Sequence, residues 1–153
     1  MIQSTQEEAL FLTSNTSPLT FDNDDLQTRS ATCCGWLQHQ EGSPVYKIIE
    51  GGVYEVSFNA NVTSLTAGIV ALGLLQDGVA INGATAISNI ATAGDYENLS
   101  LDKKIKVCCK SNTTLSVASI PSVPVYATAT PVATETEIPI VTNANFSITK
   151  VCG

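Results

Sequence analysis

The sequence has a single histidine, His39, and only seven lysine or arginine residues among its 153. One imidazole supplies no multi-histidine metal centre, and a Ser/His/Asp set has just one candidate base to be built around. Seven cations against fourteen carboxylates leave a net charge of −7. Nucleic-acid binding as a main function is excluded on that balance, because phosphate neutralisation needs clustered Lys and Arg. Long apolar runs are missing as well. The longest, Ile69 to Leu75, has Gly73 inside it and falls far short of the roughly 20 residues that cross a bilayer. Met1 to Glu8 has neither a basic start nor an apolar stretch of the secretory kind, so synthesis and solubility in a cytoplasm are expected. Gly51-Gly52 opens no helix, which removes the phosphate-loop reading.

Charged residues make up only 14% of the protein and hydrophobic residues 44%. That describes a folded domain with an uncharged surface of Thr, Ser and Asn. Low surface charge is common where a surface ends against other subunits. The one basic cluster, Lys103, Lys104, Lys106 and Lys110, reads as a solvated strand face. The five cysteines are two adjacent pairs, Cys33-Cys34 and Cys108-Cys109, and a lone Cys152. Neighbouring strand residues point to opposite faces, so each pair sends one thiol inward and one outward. An odd count in a reducing compartment favours structural thiols over disulfides, and zinc would need ligands gathered in CxxC or Cys/His sets. No cofactor, metal or catalytic residue is expected. The five Asn-x-Ser/Thr triplets, at Asn15, Asn61, Asn98, Asn112 and Asn145, are what such a composition produces by chance.

What is present is alternation. From Val53 to Thr63, Tyr54, Val56, Phe58, Ala60 and Val62 point one way, and Glu55, Ser57, Asn59 and Asn61 the other. That is a half-buried β-strand entered through the Gly51-Gly52 turn. Lys104 to Lys110 repeats the pattern with Ile105, Val107 and Cys109 on one side. Thr114 to Ile120 returns with Leu115 and Val117 inward, and Asn145 to Val151 ends the domain with Phe146 and Ile148. Tyr54, Val56, Phe58, Val62, Ile105, Val107, Leu115, Val117, Phe146 and Ile148 form the expected core. Asp77-Gly78 predicts a tight hairpin.

Gly68 to Gln76 differs, being apolar on both faces. A second apolar face must be covered, either by a partner subunit or by another segment of the same polypeptide such as the long C-terminal loop. The first choice makes Ile69, Val70, Leu72 and Leu74 candidate interface residues. Short strands are also expected at Ala9–Thr13, Pro18–Phe21, Ala31–Gln38 and Val45–Ile49, with a turn at Asp22-Asn23-Asp24-Asp25. The acidic turn gathers hard oxygen ligands suited to calcium, without the glycine and distal glutamate of an EF-hand loop. Residues 82–98 are rich in small residues, anchored by Ile87 and Ile90. Residues 121–142 carry Pro121, Pro124, Pro131 and Pro139, which predicts an extended arm or edge hairpin. Eight to ten short strands with regular turns and no convincing helix specify an all-β antiparallel sandwich or jelly roll. The expected division is a tail at 1–8 and one domain over 9–153, with the arm at 121–142.

With those segments in order, the protein resembles the C1q/TNF-like jelly-roll superfamily over about residues 9–151, particularly its short phage and bacterial forms. Gly52-Val53-Tyr54-Glu55-Val56-Ser57-Phe58 is similar to the Gly-x-Tyr-x-x-x-Phe start of that family's central strand. Val45 to Gly51 fits the strand before it. A Gly-Leu-Leu strand with an Asp-Gly hairpin, a Lys-rich strand, a Leu-Ser-Val strand and Phe146-Ser147-Ile148-Thr149-Lys150 follow. The resemblance implies a homotrimer with subunits packed edge to face. It leads to a non-enzymatic structural protein of a virion, decorating a phage capsid or forming part of a head fibre. Such a protein is made in a bacterial host cytoplasm and contacts other capsid proteins through residues 1–30 and the 121–142 arm. The competing expectation is a receptor- or glycan-binding trimeric module, a fibre tip or a bacterial surface or spore-coat adhesin. Neither involves nucleic acid or a membrane.

Overall fold

A computed structural model describes residues 1–27, 35–108, 112–126 and 129–152. The expected strand over Ala31–Gln38 is described only from residue 35, and Cys33, Cys34, Cys109 and Lys110 lie outside the described residues. Thirteen strands are present among the described residues: β1 (Ile2–Gln6), β2 (Leu10–Phe11), β3 (Asn23–Gln27), β4 (Leu37–Gln38), β5 (Tyr46–Ile48), β6 (Gly52–Thr63), β7 (Gly68–Gln76), β8 (Val79–Ile90), β9 (Glu97–Val107), β10 (Thr113–Ser119), β11 (Ser122–Val125), β12 (Val132–Glu135) and β13 (Ile140–Cys152). One sheet runs β3-β1-β13-β6-β9, with β2 also pairing β13, and the other runs β4-β5-β10-β7-β8. All these pairings are antiparallel. The two sheets pack face to face as a sandwich.

The alternation in β6 decides the layering. Tyr54, Val56, Phe58, Ala60 and Val62 are buried, while Glu55 and Asn59 are exposed and Ser57 and Asn61 half-buried. The long strands β13 and β9 flank β6 and bring Phe146 opposite Phe58 and Ile105 opposite Tyr54. Phe21, Tyr46 and Phe146 meet as a ring cluster, with Phe21 and Phe146 stacked at 5.5 Å and Tyr46 edge-on to Phe146 at 4.7 Å. Such offset and edge contacts stabilise beyond the area they bury. Between β7 and β8, Asp77 and Gly78 both have positive φ, 52° and 79°, as the type I′ hairpin requires.

Four sequence expectations need correction. Residues 1–8 are not a tail, because Ile2–Gln6 pairs with β13 on one side and β3 on the other. The acidic run is not a turn, since Asn23–Gln27 is an edge strand. Pro18–Phe21 forms no full strand. Pro18 makes a single bridge to Ala118, and Leu19 and Phe21 are buried. Finally, β8 does not stop at Ile81 but continues to Ile90 through the small-residue segment.

Candidate functional site

The ten expected core residues, from Tyr54 to Ile148, all lie in the single hydrophobic cluster between the sheets. The interface candidates separate from them in an unexpected way. Val70, Leu72 and Leu74 share one face of β7, two residues apart, and are fully buried in that same cluster. They cannot meet another subunit. Ile69 lies on the opposite face, half-buried. That face is covered by the same polypeptide. Ile120 N–H donates to Ala71 C=O at 3.0 Å, and Glu137 N–H donates to Ile69 C=O at 2.7 Å. A Cβ built at Gly73 would lie 2.7 Å from Ile120 Cδ1. The segment that provides the cover contains the β11–β12 hairpin, where Val123 is buried. At Gly68, Ala71 and Gly73 the second face of the doubly apolar strand is covered from within the same polypeptide.

The His39 side chain is buried and belongs to a polar cluster at one edge of the sandwich. Its Nδ1 lies 2.7 Å from Asp24 Oδ1 and its Nε2 2.9 Å from Ser43 C=O. The ring stacks on Tyr46 at 3.9 Å. Ser4 Oγ donates to Asp24 Oδ1 at 2.5 Å. Serine, aspartate and histidine are thus adjacent but in the wrong order for nucleophilic catalysis, since the serine addresses the carboxylate and, among the described residues, the imidazole nitrogens face only the Asp24 carboxylate and the Ser43 carbonyl. The cluster joins β3 of one sheet to the β4–β5 connection of the other. Asp24, in the acidic run read as a polar turn, faces this histidine and serine. Among the described residues, no group of three or more His, Cys, Asp or Glu side chains could hold a metal ion. Burial pushes the phenol of Tyr46 upward in pKa, with the Asp24 charge adding to it. Burial, with the Glu50 charge behind it, pushes Tyr54 up to about 12, and its hydroxyl donates to Glu50 C=O at 2.6 Å.

The outward face of the β1-β13-β6-β9 sheet carries small polar side chains in register. Register brings Gln3, Ser147, Ser57 and Asp102 into one row and Thr5, Asn145, Asn59 and Ser100 into the next. Ser57 donates to Asp102, and Asn98 Nδ2 donates to Asn61 Oδ1 at 3.3 Å. Lys104 and Glu55 pair loosely at 4.0 Å, worth little at such exposure. Lys106 is also solvent-facing, but Lys103 is not part of that charged row. It lies opposite Val56 and reaches across to Asn82 C=O at 3.0 Å. Sequence reasoning missed this contact because strand parity assigns Lys103 to the inward face. Next to this sheet, the free edge of β8 exposes Val79 (70%) and Ile87 (49%). Cys108 is exposed just past β9, where the paired cysteines were expected to put one thiol outward.

No protein-family description and no curated protein sequence matches this protein. Solved structures do. The globular domain of zebrafish complement 1qA protein aligns with a TM-score of 0.62 at 12% identity, covering 98% of this chain and 95% of the other. Murine APRIL at pH 5.0 aligns at 0.60 and 8% identity, covering 98% of each. The fold is a C1q/TNF-like jelly roll. Eiger TNF from S. frugiperda adds a third case, at 0.60 and 10% identity, covering 98% of this chain and 92% of that one. At such identities the likeness establishes the jelly roll and nothing finer. Among the described residues no helix is long and apolar enough to cross a membrane.

Proposed function

We propose that the protein is a non-enzymatic jelly-roll module that works as a homotrimer and serves as a structural protein of a virion, on a phage capsid or in a head fibre. The observation that carries the trimer is the pairing of two surfaces. One is a flat sheet face of small Ser, Thr and Asn side chains, with Ser57, Asn61, Asn145 and Ser147 only half-exposed in the single subunit. The other is the apolar free edge of β8. Small residues let a neighbour's edge approach closely, and apolar side chains left on an edge favour burial. The C1q/TNF-like fold supports the edge-to-face arrangement, and the histidine, whose neighbours already use both ring nitrogens, supports the non-enzymatic reading.

The virion role rests on the short phage and bacterial resemblance and on the low surface charge. Attachment through residues 1–30 needs revision, since β1 and β3 are sheet strands. The β11–β12 hairpin remains as the arm, with Tyr126 exposed beside it. Light scattering on the purified protein should give three times the 16.1 kDa subunit mass. Mass spectrometry and electron cryomicroscopy should find it in intact particles. A monomer overturns the trimer, and absence from particles overturns the virion role. One observation favours the receptor- or glycan-binding alternative: Tyr96 (61%) and Tyr126 (68%) stand exposed in loops, as stacking platforms for a ligand would. Binding to glycans or host cells but not to capsid shells would decide for it.

A further inference from the structure

Asn82-Gly83 is the single Asn-Gly dipeptide of the sequence, and the fold places it where the β7–β8 ladder breaks. Gly73 pairs with Thr85 and Leu75 with Ala80. Two steps along β7 therefore correspond to five along β8, and residues 81–84 have no register partner in β7. Gly83 has φ +70°. Asn82 is exposed, and its side chain makes no hydrogen bond among the described residues. The nearest atom to a Cβ built at Gly83 is Lys103 Nζ, at 3.4 Å. That ammonium donates to Asn82 C=O at 3.0 Å. It sits on the peptide group whose nitrogen belongs to Gly83.

We infer that Asn82-Gly83 is a self-modification site in the folded protein, where Lys103 promotes succinimide formation and conversion of Asn82 to isoaspartate or aspartate. The Gly83 nitrogen attacks Cγ of the Asn82 carboxamide. A new C–N bond forms, the bond from Cγ to the amide nitrogen Nδ2 breaks, and that nitrogen leaves as ammonia with the proton that Gly83 gave up. Water then opens the ring at either carbonyl, and no oxidant or reductant takes part. As the Gly83 N–H loses its proton, negative charge spreads onto the Asn82 carbonyl oxygen, where the ammonium already lies. Charge stabilised where it develops is the same device as an oxyanion hole. The absence of a Cβ at Gly83 leaves the approach open. Asp77-Gly78, the other pair in which glycine follows a residue able to form such a ring, provides an internal contrast. Asp77 Oδ1 accepts from Thr114 N–H at 2.7 Å and from Thr114 Oγ1 at 3.2 Å, which holds the carboxyl away from the next nitrogen. The product adds a carboxylate beside Lys103, and in the isoaspartate form a backbone methylene, where the edges β8 and β9 meet.

The test is incubation of the full-length protein at mildly alkaline pH, with ammonia release and peptide mapping that separates isoaspartate from aspartate. Position 82 should convert ahead of every other asparagine and of Asp77, and at least as fast in the folded protein as in guanidinium. Lys103→Met should slow the folded protein about tenfold, the scale of one charge-assisted hydrogen bond, and leave the denatured rate unchanged. Lys103→Arg should restore most of the rate. Slower conversion in the folded protein than in guanidinium, or a folded rate indifferent to Lys103→Met, overturns the inference. If Lys103→Met fails to fold, the wild-type comparison and Lys103→Arg still decide it.

Discussion

Both ring nitrogens of His39 face acceptors, the Asp24 carboxylate and the Ser43 carbonyl. A carbonyl only accepts, so Nε2 carries a proton and the Asp24 carboxylate orients the other nitrogen. With Tyr46 stacked on the ring, the cluster fastens β3 to the opposite sheet. Removing one partner of a buried hydrogen bond strands the other. Asp24→Ala should therefore cost about 1–3 kcal/mol, read as a fall in the urea midpoint at constant slope. A cost below about 1 kcal/mol, the level of an exposed pair, would show the cluster to be incidental. Tyr54 sets a second, pH-dependent contribution. Its folded pKa of about 12 lies above the ordinary 10, so between those values the folded state holds a proton that the unfolded state has released. The contribution is fully present below pH 10 and lost as pH rises through 12. Tyr46 shifts in the same direction. Tyr54→Phe should flatten the decline between pH 10 and 12, measured as chemical stability against pH. An unchanged slope would remove Tyr54 as its source.

At the scale of elements, legibility followed the chemistry of the buried positions. β6, β9, β10 and β13 bury large apolar side chains on alternate residues, so their periods could be read directly. β1 alternates just as strictly, but its inward residues are Ile2, Ser4 and Gln6, and polarity disguised the pattern as a tail. β8 inverts the usual contrast, burying Ala84 and Ala86 while exposing Thr85 and Ile87. β3 reads as a turn because its acidic residues suggest one, and only the histidine across the sandwich explains Asp24 there. The doubly apolar β7 was recognisable, but not which of two covers it takes, since the covering residues lie some fifty positions later. That cover is testable. A Cβ at Gly73 would lie 2.7 Å and 2.8 Å from the Ile120 side chain and 3.2 Å from Thr85 Oγ1. Gly73→Val should destabilise by about 1–3 kcal/mol through overpacking and should speed limited proteolysis within residues 121–137 before the rest of the protein is cut. Cleavage first elsewhere would mean that Ile120 and Glu137 do not seat the hairpin on β7.

For the molecule as a whole, the question is what the outward face of the β1-β13-β6-β9 sheet meets. With β7 covered internally, an apolar surface left for association is the outer strand β8, where Val79 and Ile87 are exposed, and it needs a flat receiver. The rows through Ser57 and Asn59 provide one, without an aromatic side chain or an unpaired cation in either. Such a contact depends on close approach more than on apolar area, so bulk and charge should defeat it where they would leave a solvated sheet untouched. Asn59→Arg together with Ser147→Arg places two guanidinium groups per subunit on that face, at positions where the isolated fold has water. Substitutions of that kind usually change stability by no more than about 0.5 kcal/mol. If the face receives a neighbour's edge, the double variant should sediment as a single subunit while keeping its far-ultraviolet spectrum. Ile87→Lys, on the edge rather than the face, should do the same. A variant pair that still sediments as three subunits would show that this sheet faces water and that the trimer uses another surface.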